Sequence, residues 1–277
     1  MISQVELMQG DALACLKRLP DQFVDCVMTS PPYWHMRDYE VKGQIGLEVT
    51  SEQYLVRVCA VFDEVKRVLK DEGTCWVNMG DVYIKKSLAQ IPNRFAYLLT
   101  RRGWDLRNEI IWHKSNIIPP SNRIKRCGVD FEKLFFFTKS GKDYYFKIAY
   151  EPTAGMNSTP RMRILKVRAW ETDSFCNRNR TYASTIVLSS NPLGRVKRCV
   201  WKLPSASNNR TSHNATYSVK LCEAPLEMGC PKGGLVLDPF SGTGTTGVAA
   251  VMQGKRYIGI DLNAEYCSIA KERIKKL

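Results

Sequence analysis

The sequence predicts an α/β protein with a doubly wound sheet and a loop-rich basic insertion. Three observations carry that expectation. Short apolar runs of strand length alternate with stretches whose apolar residues recur at helical spacing. Two of those runs end in turns dense in proline or glycine, SPPYW and DPFSGTGTT. The chain has 277 residues, 44% hydrophobic and 10% aromatic. That suits one large domain with an insertion or two modest ones, and it excludes wholesale disorder.

Residues 24–28 are a mostly apolar run that stops at Ser30-Pro31-Pro32, so they read as a buried strand entering a loop. Thr50 and Gln53 have capping-box spacing. Tyr54, Leu55, Val58, Val61, Phe62, Val65, Val68 and Leu69 then repeat at helical intervals as far as Gly73. Residues 74–79 read as the next strand. Pro92 opens a helix, because proline loses nothing at the first helical position, and Gly103 closes it. Residues 109–112 and 134–138 read as further strands, and 235–237 as the strand leading into DPFSGTGTT. A helix follows to Met252 and ends at Gly254; 257–260 is another strand, and Asn263 caps the last helix. Strands alternating with helices imply parallel pairing. Residues 151–210 differ, being rich in Ser, Asn, Thr and Arg, with one weak strand at 185–188.

Composition excludes several classes. No apolar run approaches the roughly 18 residues of a membrane span. The opening MISQVELMQGDAL lacks the basic-then-apolar pattern of a secretory leader, so a cytoplasmic location is expected. The ten cysteines include no C-x-x-C pair, and His35, His113 and His213 are scattered, so no metal site is expected and the thiols are read as reduced. The net charge of +14 is uneven. Residues 85–126 carry ten Lys/Arg and two acids; residues 151–210 carry eleven and three; the rest is nearly neutral. Concentrated charge of this kind is the footprint of a nucleic acid, with a plainly solvated basic surface as the other reading.

Two motifs carry chemistry. In Asp238-Pro239-Phe240-Ser241-Gly242-Thr243-Gly244-Thr245 a strand ends in an acid and a glycine turn opens a helix. Glycines let the backbone approach a ligand closely, and N–H groups at the helix start face it. The Lys of a phosphate-binding P-loop is missing. Gly242, Gly244 and Gly247 match G-x-G-x-x-G, which a tight turn would also explain. About 20 residues on, Asp261 stands where an acid would take ribose hydroxyls, although it also sits just before a helix. Together the two point to an adenosine-containing cofactor. The other motif, Ser30-Pro31-Pro32-Tyr33-Trp34, is a rigid turn with acceptor oxygens and an aromatic beside them. It suits a planar base bearing an exocyclic amine, or serves as a structural turn.

SPPYW followed about 200 residues later by DPFSGTGTT resembles the permuted β class of S-adenosylmethionine-dependent DNA amino-methyltransferases. Other pieces agree: Gly10-Asp11-Ala12, Val77–Asp81, Ile111-Trp112-His113-Lys114, Phe137–Ser140, and His213-x-Ala215-Thr216-Tyr217. The resemblance covers roughly residues 5–150 and 211–275. It departs at Ser218, where the family has proline, and at Phe131-Glu132, where the family often has His-Glu.

The resemblance implies a Rossmann-like methyltransferase sheet with circularly permuted motif order. It implies catalytic roles for Ser30, Pro31, Pro32 and Tyr33, with Ser30 Oγ and the Pro31 carbonyl accepting hydrogens of the target amine and Tyr33 stacking on the flipped base. It implies a cofactor pocket of Asp11, Ala12, Ser30, Asp238, Pro239, Phe240, Gly242, Gly244, Thr245, Asp261 and Leu262. It divides the chain into a catalytic domain, 1–150 with 211–277, and a target-recognition region, 151–210. DNA contacts are expected from Arg123, Arg161, Arg163, Arg168, Arg178, Arg180, Arg195, Lys197 and Arg198. Serine at the first motif position favours cytosine N4 over adenine N6. No Pro-Cys dipeptide occurs, so the covalent cytosine-C5 route is not expected. RNA methylation and a non-catalytic DNA-binding protein of the same fold stay open as rivals. A restriction endonuclease is a possible functional partner in this reading, and the oligomeric state is left open.

Overall fold

The computed structural model describes residues 4–116, 125–152, 163–167, 184–188, 193–205 and 217–277. In chain order its elements begin β1 (Val5–Gln9), α1 (Ala12–Leu16), β2 (Val24–Thr29), α2 (Ser51–Val68) and β3 (Leu69–Met79). Then come β4 (Tyr83–Ile84), β5 (Ser87–Leu88), α3 (Ile91–Arg101), β6 (Asp105–Lys114) and β7 (Phe131–Thr138). Four short strands follow: β8 (Tyr150–Glu151), β9 (Arg163–Val167), β10 (Ser184–Leu188) and β11 (Arg195–Val196). The chain closes with β12 (Val200–Leu203), α4 (Val219–Gly229), β13 (Leu235–Asp238), α5 (Thr245–Met252), β14 (Arg256–Asp261) and α6 (Ala264–Lys275). No described helix is long and apolar enough to cross a membrane.

The chain divides into two units, Met1–Lys147 with Arg198–Leu277, and Ile148–Lys197. The larger holds an eight-stranded sheet of order β1-β14-β13-β2-β3-β7-β6-β12. From β1 to β3 every pairing is parallel. β7 departs from the expected parallel order, running antiparallel to both β3 and β6. No helix is found among the described residues between β6 and β7, and the two strands pair directly as antiparallel neighbours. In the smaller unit β8 pairs with β11 and β9 with β10, all antiparallel.

Two boundaries differ from the sequence expectation. The helical pattern through Leu69 ends one residue early, because Leu69 is already extended and pairs with Val24. β12, inside the stretch read as a basic insertion, belongs to the main sheet and pairs parallel with β6.

Helices cover both faces of the sheet. On one face α1, α2 and α3 pack on Val27, Cys75, Val77, Phe135, Phe137, Leu237 and Ile258. α2 starts as its sequence dictates: Thr50 Oγ1 accepts from Gln53 N, and the Gln53 side chain accepts from Thr50 N. On the other face Trp76 stacks on Phe136 with ring centroids 4.1 Å apart. There α4 presses its last residue, Gly229, onto Thr74 and Trp76, and α5 presses Gly247 onto Tyr257.

A Cβ on Gly229 would lie 2.4 Å from both Thr74 Oγ1 and Trp76 Nε1, inside packing that has no slack. Gly229→Ala is therefore expected to destabilise the fold by about 1–3 kcal/mol, the usual cost of overpacking. Urea denaturation followed by Trp fluorescence measures this, and an unchanged midpoint would contradict it.

Candidate active site

From β2 the chain moves through α2 to β3, one way along the sheet; from β13 it moves through α5 to β14, the other way. The switch point lies between β2 and β13, which are hydrogen-bonded neighbours. In such sheets a crevice opens at the carboxyl ends of the strands there. SPPYW leaves the end of β2, and Asp238, the last residue of β13, begins the glycine loop.

One hydrogen bond joins them. Thr29 Oγ1 donates to Asp238 Oδ1 at 2.6 Å. Phe240 N donates to the same oxygen at 3.1 Å, and Tyr217 OH to Oδ2 at 3.1 Å. Tyr217 OH also accepts from Thr246 Oγ1, which lies 3.3 Å from the Met28 carbonyl. Asp238 is wholly buried. Burial pushes its carboxyl up from 3.8 to about 6, against the pull of its hydroxyl and amide donors. Asp238 thus lies beneath the loop and braces it.

The loop above is shaped by two left-handed glycines, Gly242 at φ +50° and Gly244 at φ +78°. A Cβ on Gly244 would sit 2.7 Å from that of Ala270, whereas one on Gly242 would meet nothing within 4 Å. Gly242 therefore opens onto free space. Its N–H donates to Asp261 Oδ2 at 2.7 Å, and Asn263 N donates to Oδ1 at 2.8 Å. Burial raises the Asp261 carboxyl and these two amides oppose the rise. Arg273 of α6 holds the far side, donating to the Thr243 carbonyl at 2.6 Å. Gly10 N donates to the Asp261 carbonyl at 2.9 Å, so the turn carrying Asp11 and Ala12 abuts the end of β14. Asp11 itself caps α1 by accepting from Ala14 N, and Ala12 is buried. Pro239 and Thr245 are buried, while Phe240 and Leu262 are partly exposed. Tyr39 and Tyr266, which sequence reasoning passed over, meet edge to face at 6.3 Å close to Asp261.

On the β2 side Pro31 is buried, and the Pro32 carbonyl accepts from Tyr54 OH at 2.8 Å. The Tyr33 ring packs on Gly80, where a Cβ would fall 2.7 Å from Cε2. Tyr33 OH donates to Glu132 Oε2 at 2.7 Å and accepts from Ser30 Oγ at 3.3 Å and Asn78 Nδ2 at 2.9 Å. Lys114 pairs with Glu132 Oε1. Asn78, Lys114, Glu132 and Tyr217 were visible in the sequence only as pieces of family pattern.

The expected DNA contacts are less visible. Arg123, Arg161, Arg168, Arg178 and Arg180 lie outside the described residues, as do His213, Ala215 and Thr216, and Arg163 is described only as backbone of β9. Arg195 Nε donates to Glu151 Oε1 at 2.7 Å; Lys197 is partly buried and Arg198 exposed. In the 85–126 segment Arg94 and Arg102 pair with Glu52 and Asp63 of α2, and Lys114 reaches the site.

Residues 24–272 match the family model described as DNA methylase. The Type II methyltransferase M.XycI of Xanthomonas campestris pv. cyanopsidis is 36% identical, over 97% of this chain and 87% of the relative. A Thermus thermophilus protein, described as a DNA modification methylase and solved with S-adenosyl-L-methionine, is 25% identical at TM-score 0.64, over 98% of this chain and 95% of the other. The fold is also that of the cytosine-N4-specific PvuII DNA methyltransferase, at TM-score 0.70 and 18% identity, over 100% of this chain and 92% of the other.

The buried Asp238 has a consequence for pH. Its raised pKa means folding favours the protonated acid, so its contribution to stability is full below pH 3.8 and lost as pH rises through about 6. At about 1.4 kcal/mol per pKa unit, the wild type should lose roughly 3 kcal/mol relative to Asp238→Asn between those limits. Urea titrations of both proteins from pH 4 to 7 measure the difference, and parallel curves would refute the effect.

Proposed function

The chain belongs to this family of DNA methylases, and from that premise we propose a site-specific enzyme that methylates cytosine N4 in double-stranded DNA. It is a DNA methyltransferase and its methyl donor is S-adenosylmethionine. The observation that carries the reading is the Thr29–Asp238 hydrogen bond, which sets the SPPYW turn beside the glycine loop. The donor fits that loop. Gly242 faces open space, and each Asp261 oxygen spends one lone pair on a backbone amide and keeps another for a ribose hydroxyl. Asp11, Ala12 and Leu262 would border the adenine. Phe240, Gly242, Gly244 and Thr245 would border the methionine portion, braced from below by Asp238 and Pro239, with Ser30 at the methyl end. When bound, the donor supplies an electrophilic methyl group.

The target amine is a weak nucleophile, since its lone pair is delocalised into the ring. It must become tetrahedral to react, and acceptors on its hydrogens favour that change in the transition state. Ser30 Oγ and the Pro31 carbonyl are those acceptors. The Pro32 carbonyl accepts from Tyr54 OH, which ties the turn to α2. Pro31 and Pro32 stiffen the turn, and the face of Tyr33 receives the base. The base must first leave the duplex, at a cost of a few kcal/mol. Serine at position 30 supports cytosine, because the adenine enzymes of the family more often carry Asp or Asn there.

Residues 151–210 are the proposed target-recognition region of the domain scheme. Arg161, Arg163, Arg168, Arg178, Arg180, Arg195, Lys197 and Arg198, with Arg123 from the neighbouring basic segment, are its proposed DNA contacts. Arginines there would read guanine edges in the major groove and lysines would fix phosphates. The relatives are named Type II methyltransferases, which supports a restriction endonuclease as functional partner.

Methyl transfer to genomic DNA, with the product digested to nucleosides and weighed, tests this reading. N4-methylcytosine is expected, and N6-methyladenine would overturn the choice of base. Ser30→Ala should slow transfer by about 10²–10³-fold, as loss of one preorganised transition-state partner does elsewhere. A wild-type rate would remove Ser30 from its role.

A further inference from the structure

A serine hydroxyl accepts an amine hydrogen only if its own hydrogen points elsewhere. It has one hydrogen and two lone pairs, and the hydrogen rotates to suit its neighbours. The direction of the Ser30 hydroxyl therefore decides whether the turn attracts or repels the target amine.

The hydrogen bonds behind Ser30 settle that direction. Glu132 Oε2 accepts from Tyr33 OH and from Asn78 Nδ2, both at 2.7 Å, and Oε1 pairs with Lys114. The Glu132 and Lys114 side chains are 14% and 20% exposed, so solvent competes little for these bonds. The phenol keeps its proton, as burial and the neighbouring Glu132 carboxylate both raise Tyr33 above its ordinary range. With its hydrogen committed to Glu132, Tyr33 has only lone pairs to offer. Asn78 Nδ2 takes one at 2.9 Å and Ser30 Oγ donates to the other at 3.3 Å. The Asn78 amide cannot turn over without setting its carbonyl against the carboxylate, and its buried Oδ1 has no partner among the described residues.

We propose that Glu132 is a positioning residue that acts through Tyr33 to aim the Ser30 hydrogen inward, so that Ser30 meets the target amine with both lone pairs. Each donor in the chain faces the carboxylate: the amine toward Ser30, Ser30 toward Tyr33, Tyr33 toward Glu132. Lys114 pairs with the other carboxylate oxygen, leaving Oε2 to Tyr33 and Asn78. Asn78 occupies the remaining lone pair of Tyr33, so Ser30 is the last link. This rests on the reading of Ser30 as an amine acceptor.

Glu132→Gln keeps the shape but places an N–H where Tyr33 now donates, which reverses the chain and turns the Ser30 hydrogen toward the amine. Single-turnover methyl transfer to unmethylated genomic DNA fragments, with enzyme in excess, reads the outcome. Glu132→Gln is expected to slow the step by about tenfold or more, with the dissociation constants for S-adenosylmethionine and DNA and the melting temperature held near wild type. Tyr33→Phe keeps the ring and should slow it to a similar degree, and the double variant should be no slower than either single one. A wild-type rate for Glu132→Gln, or losses that multiply in the double variant, would overturn the proposal. Should Glu132→Gln fail to fold, Tyr33→Phe decides alone, since a wild-type rate there would equally overturn it. Ser30→Ala separates the two levels. A wild-type rate for Ser30→Ala sinks the acceptor reading itself, whereas a slow Ser30→Ala beside a fast Glu132→Gln sinks the relay only.

Discussion

The hydrogen bond from Thr29 to Asp238 is the constraint on which the rest of the site depends. It spans 209 residues of chain and joins the two loops that hold the reacting partners. It also explains why a carboxylate is tolerated in a fully buried position. Hydroxyls from Thr29 and Tyr217 and one backbone amide satisfy its oxygens, so the desolvation cost is offset by polar partners and not by solvent. The site is thus braced at its floor, and Gly242 above it faces free space.

A second carboxylate, partly buried, organises the other half. Glu132 gathers Tyr33, Asn78 and Lys114 from three different strands and turns. The two acids do different work. Asp238 fixes where the loops stand, whereas Glu132 orders the hydrogens of groups already in place.

Much of this was legible in the chain as written, and the limits have physical reasons. SPPYW and DPFSGTGTT stand out because proline and left-handed glycine are demanded by the turn itself, not by tertiary context. The capping box at Thr50 and the proline start of α3 are local for the same reason. The direction of β7 was not legible, since a fully buried strand carries the same apolar run whichever way it points. Nor was the standing of Glu132. It reaches Tyr33 because β7 pairs antiparallel with β3, placing Lys133 opposite Met79 and Leu134 opposite Asn78. That register lies in long-range pairing and in no local pattern. Asp238 was read as a pocket wall, and only its complete burial identifies it as the brace beneath. The boundary of the basic segment shifted because β12 joins a sheet edge that no nearby residue announces.

The place of β13 at the centre of the sheet bears on how the protein is made. Among the described strands β1 pairs with β14 alone, and one edge of β2 waits for β13. Both partners come from the last part of the chain, so the ribosome must add about 200 residues before the middle of the sheet can close. At roughly 5–20 residues per second that interval is on the order of 10–40 s. Through that time an apolar strand edge stands open, and the long sequence separation slows its final pairing. This motif order therefore sets a biosynthetic sequence: the edge of β2 stays unpaired in the nascent chain, and methyl transfer must wait until β13 and β14 have emerged.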